Sequence, residues 1–168
     1  KRGLCVRWAI LSTDESFEKR TRMQAAAIVL AAGAGTRMKS KKPKVAHEVL
    51  GKPLVNWVID QALAVPVARV VTVVGYGREQ VVPLVEGVAD IVVQPERKGT
   101  ADAVAVCREA LADFDGSLLV LSGDCPLIKA QTIARLIEER ERAQAACALL
   151  TMEPGDPSGY GRIVRDGN

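Results

Sequence analysis

From Met23 onward short β-rich runs alternate with helical ones, and this alternation constrains the fold more than any other feature of the chain. Strand character lies near 24 to 31, 69 to 74, 89 to 94, 117 to 122 and 145 to 152; helical character lies near 54 to 64, 78 to 87, 100 to 112 and 129 to 143. A strand followed by a helix and then another strand builds a parallel sheet, and such a sheet buries both faces under its crossover helices. The expected class is therefore α/β, with a mostly parallel sheet and helices on both faces. Local signals agree with the boundaries. Pro53 suits the first turn of its helix, Thr100 suits the cap of the third, and Gly116 suits the turn into the strand at Ser117.

In an open sheet of this kind ligands bind beyond the carboxyl ends of the strands, where the strand order reverses. Three polar segments fall at such ends. Gly33 to Arg37 follows the first strand, Gln94 to Thr100 the third, and Ser122-Gly123-Asp124 the fourth, which makes them candidates for one pocket.

The first segment opens the stretch IVLAAGAGTRMKSKKPK, from Ile28 to Lys44. Gly33 and Gly35 let the backbone turn tightly and bring N–H groups close to an anion. Arg37, Lys39, Lys41, Lys42 and Lys44 then place five cations in eight residues. A triphosphate can be held there by charge-assisted hydrogen bonds; a soluble surface turn would also use these residues, and the motif alone leaves both open.

Asp124 ends the apolar run LLVLSGDCPLI, and Gly123 removes side-chain bulk where a ligand approaches. A carboxylate in that place can hold Mg²⁺ together with substrate phosphates, or cap the following helix. In QPERKGTA, Thr100 and the helix start can serve as a cap and also bond a base edge or an anion. His47, the sole histidine, fits a structural hydrogen bond better than catalysis, and Trp57 and Val58 fit the core.

Composition narrows the partners. Among 168 residues 48% are hydrophobic and only 4% aromatic, which disfavours disorder and a base-stacking surface for nucleic acid. The net charge of +3 sits entirely in residues 1 to 22, and the remainder carries 17 basic and 17 acidic residues. A neutral body with one cationic loop suits a small anionic ligand better than a long polyanion. The longest apolar runs stop well short of the roughly 20 residues that cross a bilayer. Cys5, Cys107, Cys125 and Cys147 lack zinc spacing and read as reduced packing cysteines of a cytoplasmic protein. Residues 1 to 22 have no clear period and no signal-peptide pattern, so the expectation is a disordered extension on a domain spanning 23 to 168.

LAAGAGTRM, PKVAHEVLGKPLV, QPERKGTADAV, LSGDCPLI and DPSGYGRIVR resemble, in that order, the N-terminal uridyltransferase (pyrophosphorylase) domain of the bifunctional bacterial GlmU family of sugar nucleotidyltransferases. The resemblance implies a Rossmann-like nucleotidyltransferase fold, truncated at its C-terminus. It also implies transfer of uridylate from UTP to N-acetylglucosamine 1-phosphate, with Mg²⁺ as helper and pyrophosphate as leaving group, in cell-wall precursor synthesis. Carried over by residue, Leu30, Ala31, Ala32 and Gly33 would line the uracil and ribose, and Gly35, Thr36 and Arg37 would meet the phosphates. Lys44 would neutralise charge at the phosphoryl centre beside Arg37, both catalytic. Gln94, Gly99 and Thr100 would read uracil, with Gly123 beside the substrate, Asp124 on the metal and Gly161 on the sugar. Family members assemble as trimers through a C-terminal left-handed β-helix. A chain ending at Asn168 stops before the family's acidic sugar contact, its later asparagine and the second side-chain ligand of the metal, so weak or no activity of its own is implied. Ser122 departs from the tyrosine of some relatives.

Other readings are a nucleotidyltransferase for a different sugar phosphate or cofactor, and a nucleotide-binding module without catalysis. A dinucleotide-dependent oxidoreductase fits less well, since Met38 stands where its third glycine belongs.

Overall fold

The structure is a computed structural model and describes residues 6–12 and 25–165. In chain order its elements are β1 (Val6–Ser12), β2 (Ala25–Ala31), β3 (Glu48–Val49), β4 (Lys52–Pro53), α1 (Leu54–Leu63), β5 (Val67–Val74), α2 (Arg78–Val85), β6 (Asp90–Val93), α3 (Thr100–Ala105), β7 (Ser117–Ser122), α4 (Ala130–Arg142) and β8 (Ala145–Met152). They form two compact units, one of Ser16–Ile137 and one of Lys1–Glu15 with Glu138–Asn168.

In the larger unit four strands lie in the order β6-β5-β2-β7, and every pairing is parallel. β2 is central, with Ile28 opposite Val71 on one side and Val120 on the other. Alanine, valine and isoleucine fill β2 because both of its faces are covered, and residues 26 to 29 have no exposed surface. Ala27, Val29 and Ala31 pack with Val55, Val58 and Ile59 of α1, Val81 and Val85 of α2, and Ile133 of α4. One residue out of phase, Ala26, Ile28 and Ala32 face Ala103, Cys107 and Leu111. The alternation of side chains along a strand thus divides the core into two layers. The chain runs from β2 to β5 and β6 on one side, then crosses to β7 on the other, so the strand order reverses between β2 and β7.

At the amino-terminal end of β5 Arg69 pairs with Asp113 at 3.1 Å and Asp90 at 3.7 Å. The hydrogen bond from Arg69 holds the Asp113 carboxyl below its ordinary range, assisted by a backbone hydrogen bond and the guanidinium charge. At the centre of β5 Thr72 has no exposed surface, and its hydroxyl has no hydrogen-bond partner. A buried hydroxyl left unmade costs about 1–3 kcal/mol, and valine has nearly its shape. Thr72→Val is therefore expected to raise the unfolding free energy by about 1 kcal/mol in a urea titration, and a loss of stability would show that the hydroxyl is satisfied in solution.

Several boundaries differ from the sequence reading. Thr100 is the first residue of α3 and not its cap; Gly99 holds the cap position with φ +102°, and no side chain caps that end. α3 is shorter than expected because the chain after Ala105 tightens into three-residue bonds such as Cys107 N–H to Val104 C=O and Arg108 N–H to Ala105 C=O. The last strand, β8, is not hydrogen-bonded in the parallel sheet. It pairs antiparallel with β1, from Val6 opposite Met152 to Ser12 opposite Ala145. A strand over Val6–Ser12 was not legible in a segment without period, whereas the boundary expected at Met23 lies outside the described residues. Trp57 is half-buried and not core: its indole N–H donates to the Val49 carbonyl at 3.1 Å, and Lys52 lies over its ring, so it ties down the β3–β4 hairpin. Of the cysteines only Cys107 packs; Cys125 and Cys147 are exposed and free, and Cys5 lies outside the described residues. No helix among the described residues is long and apolar enough to cross a membrane.

Candidate active site

A cavity of about 530 Å³ opens at the carboxyl ends of the strands in the larger unit, where the strand order reverses between β2 and β7. The residues after β2 form its floor. Leu30, Ala32, Gly33, Gly35 and Arg37 line it, and a single-turn 3₁₀ helix over Thr36–Met38 is closed by Met38 N–H to Gly35 C=O at 2.9 Å. The segment after β6 supplies Gln94, Arg97, Gly99 and Thr100, and the end of β7 supplies Ser122 with Asp124 just beyond it. Lys44 closes the ring from a second 3₁₀ turn, Lys44–Ala46, whose Val45 and Ala46 are buried. That burial anchors the backbone that carries Lys44.

The ammonium lies 2.6 Å from Asp124 Oδ2. Both side chains keep part of their surface in water, 42% for Lys44 and 32% for Asp124, so the pair contributes at most about 1 kcal/mol to stability. Its meaning is positional: the cation after one central strand and the carboxylate after its neighbour face a common space. Three cations, Arg37, Lys44 and Arg97, line the cavity against the single carboxylate of Asp124, so it favours a polyanion. Arg97 also stacks on Tyr76, 5.8 Å from the ring centre.

Glycines here have separable reasons. Gly35 has φ +62°, and a Cβ on it would lie 2.6 Å from Lys44 Cβ. Gly35→Ala would strain the backbone and push Lys44 off Asp124. A stability loss of about 1–2 kcal/mol is expected, together with weaker triphosphate binding, read by urea unfolding and calorimetry. Unchanged values for both would mean that the loop moves without cost. A Cβ placed on Gly33 would meet nothing within 4 Å, and its φ is ordinary, so no neighbour in the chain demands a glycine there.

Gln94 is only 5% exposed, and its position is over-determined. Its backbone N–H donates to Val74 C=O at 2.8 Å, and its side-chain Nε2 donates to Asp102 Oδ2 at 2.7 Å and to Gly99 C=O at 3.2 Å. Beside Asp124, Cys125 has its thiol pushed up by partial burial of the sulfur, by the Asp124 charge and by a hydrogen bond to it, against the opposing pull of Lys44. It therefore stays protonated at neutral pH and is a poor nucleophile.

Two sequence expectations are corrected by this geometry. Ala31 has no exposed surface and points into the α1 side of the core, because neighbours on a strand face opposite sides; its side chain lines nothing. Gly123 does not line the cavity either. Its N–H donates to Leu30 C=O at 2.9 Å and a Cβ would come within 2.8 Å of that oxygen, so this glycine lets β7 close on β2. His47 acts through its backbone, with N–H to Lys44 C=O and C=O accepting from Leu54 N–H, while its ring Nε2 has no partner. Of the five loop cations only Arg37 and Lys44 reach the cavity; Lys42 pairs with Glu48. Thr36 falls between Gly35 and Arg37 in the loop. Gly161 belongs to the smaller unit, where it lines a separate cavity with Tyr160 and Arg162. Sequence reasoning missed Met38, Val45, Arg97 and Ala103 as lining residues. The arginine in QPERKGT was the available signal for one of them.

Residues 27–166 match the MobA-like NTP transferase domain family, and the chain belongs to it. It is 50% identical over 145 residues to the bifunctional protein GlmU of Pelotomaculum thermopropionicum, covering 86% of this chain and 32% of that protein. The match is to the N-terminal region of GlmU, and the chain spans about a third of the length of the curated relatives it matches. Among solved structures a nucleotidyl transferase from Methanothermobacter superposes with TM-score 0.57 at 22% identity, over 68% of this chain and 56% of that one. A CMP:2-keto-3-deoxy-manno-octonic acid synthetase complexed with CTP superposes with TM-score 0.56 at 23% identity, over 73% and 49%. At these identities the structural likeness speaks for the fold.

Proposed function

We propose that the chain carries the nucleotide site of a uridyltransferase that joins UTP and N-acetylglucosamine 1-phosphate into UDP-N-acetylglucosamine and pyrophosphate. The observation that carries this reading is the cavity between the ends of β2 and β7, where Lys44 meets Asp124 and Arg37 lines the same space beside an open glycine loop. The half-identity to GlmU supports the choice of substrates.

In this reading a phosphate oxygen of the sugar phosphate attacks the α-phosphorus of UTP, the bond from that phosphorus to the bridging oxygen breaks, and pyrophosphate leaves with the electron pair. Such a transfer needs alignment and charge stabilisation more than covalent help. Gly33 and Gly35 let the backbone approach the phosphates. Arg37 offers a planar fork of donors to phosphate oxygens, and Lys44 swings its ammonium from Asp124 to the reacting phosphate. Leu30, Ala32, Gly99 and Thr100 enclose the nucleoside, and Gln94 bonds its base.

A divalent metal fits the donors present. Among the described residues no cluster of three or more His, Cys, Asp or Glu is arranged as a cage. Mg²⁺ needs none, because it is commonly held by one or two carboxylates with substrate phosphates, and Asp124 opens onto the cavity. When bound there, it would neutralise charge on the phosphates of the nucleotide. The longer protein's remaining sugar contacts, its trimer through a C-terminal β-helix and its place in the cytoplasm belong to the same proposal, as does Gly161 at the sugar.

Calorimetry of UTP against ATP and GTP, with Mg²⁺, tests the reading on this chain. Preference for UTP is expected; equal or tighter binding of a purine nucleotide would sink it. Pyrophosphate release by the full-length protein with different sugar phosphates then separates N-acetylglucosamine 1-phosphate from its rivals.

A further inference from the structure

The side-chain amide of Gln94 is, with Thr72, one of two buried polar side chains among the described residues, and it lines the cavity. Both acceptors that face its Nε2 are unambiguous: a carboxylate oxygen of Asp102 at 2.7 Å and the Gly99 carbonyl at 3.2 Å. The Gly99 carbonyl can only accept, so the nitrogen must be the end turned towards it and towards Asp102 beside it. Both N–H bonds are then spent inside the protein, and Oε1 is the only polar atom that the side chain can offer a ligand.

An amide is a donor at one end and an acceptor at the other, and a free glutamine can rotate to suit either kind of base edge. Here that choice has been removed. We infer that Asp102 is a positioning residue that locks Gln94 as an acceptor, and that this lock selects a base presenting an N–H, uracil at N3, over cytosine, which presents a lone pair there. The inference rests on the uridyltransferase reading and adds to it the residue that sets base choice. Asp102 lies in the first turn of α3, behind Gln94, and is absent from the cavity lining, so its effect on the base passes through the amide. Without the lock Gln94 could rotate and present Nε2 to cytosine.

The alternative explanation of Asp102 is electrostatic, an acidic residue near the start of a helix. The two explanations diverge for Asp102→Ala and Asp102→Asn. Asparagine loses the charge but keeps an oxygen that accepts the same bond. Alanine loses both. If Asp102 locks the amide, Asp102→Ala lowers the ratio of UTP to CTP affinity about tenfold or more, because a base then meets an unfixed or mismatched amide, while Asp102→Asn keeps the ratio within about threefold of the parent. If Asp102 serves only the helix, both variants weaken UTP and CTP alike and the ratio stays unchanged, which overturns the proposal.

A measurement without nucleotide reads the lock directly. In ¹H–¹⁵N spectra of the chain the two Gln94 side-chain amide protons should exchange slowly with water in the parent and in Asp102→Asn, and quickly in Asp102→Ala. Fast exchange in the parent refutes the lock. Slow exchange in a parent that shows no preference for UTP refutes the uridine reading and, with it, the selecting role given to Asp102.

Discussion

Replacing Arg37 by alanine lowers kcat about 100-fold or more in the full-length protein that carries this domain, if the guanidinium stabilises charge that develops on the phosphates in the transition state. The side chain is exposed at the edge of the cavity and makes no ion pair shorter than 4 Å with any described carboxylate, so its removal leaves the core intact. The melting temperature should therefore hold while the rate falls. Arg37→Lys should recover only part of the loss, because an ammonium cannot reproduce the planar, two-pronged donation of a guanidinium. Pyrophosphate release under saturating substrates reads the outcome. A rate within about twofold of the parent would remove Arg37 from the reacting centre and leave charge attraction as its only role.

Asp124→Ala has the second large effect, and its signature is a change in metal dependence. With Mg²⁺ present, UTP affinity should fall about tenfold or more, since the carboxylate that holds the metal against the phosphates is gone. Without Mg²⁺ the variant should bind UTP as well as the parent or better, because Lys44 is released from its 2.6 Å contact and a negative charge has left the cavity. Stability should change little, as the pair is partly exposed and such pairs contribute about 1 kcal/mol or less. Calorimetry with and without the metal separates these terms. An equal loss under both conditions would mean that Asp124 shapes the site and does not hold an ion.

Much of the larger unit was legible in the sequence because its signals are local. Residues 24 to 31 read as a buried strand from their run of alanine, valine, isoleucine and leucine, and the structure gives Ala25–Ala31. The helices over Leu54–Leu63, Arg78–Val85 and Ala130–Arg142 lie within two residues of the expected bounds. The grouping of the three polar segments was also legible, since strands running in parallel must bring their carboxyl ends to one edge of the sheet.

What was not legible depends on distance between atoms. Gly123 was read as room for a ligand, yet the atom it avoids is the Leu30 carbonyl on the neighbouring strand. Ala31 belongs to the same motif as Ala32, but the pleat turns it to the other layer. By charge alone the loop lysines are equivalent, and only the fold brings Lys44, and not Lys39, Lys41 or Lys42, to the cavity and to Asp124. Thr100 and Asp102 are both polar residues at a helix start, and nothing in their order tells that Asp102 reaches Gln94 while Thr100 caps nothing.

By itself, then, the sequence determined the α/β class, the parallel order of strand and helix, and the chemical character of the cavity, because periodicity, glycine and charge act over a few neighbouring residues. Only the tertiary structure decided that Lys44 meets Asp124 across 80 residues, that Asp102 and the Gly99 carbonyl between them take both amide hydrogens of Gln94, and that β8 takes β1 as its partner. Hydrogen bonds and ion pairs act over a few ångströms, and which groups come within that range is settled by how the strands align and how the core packs.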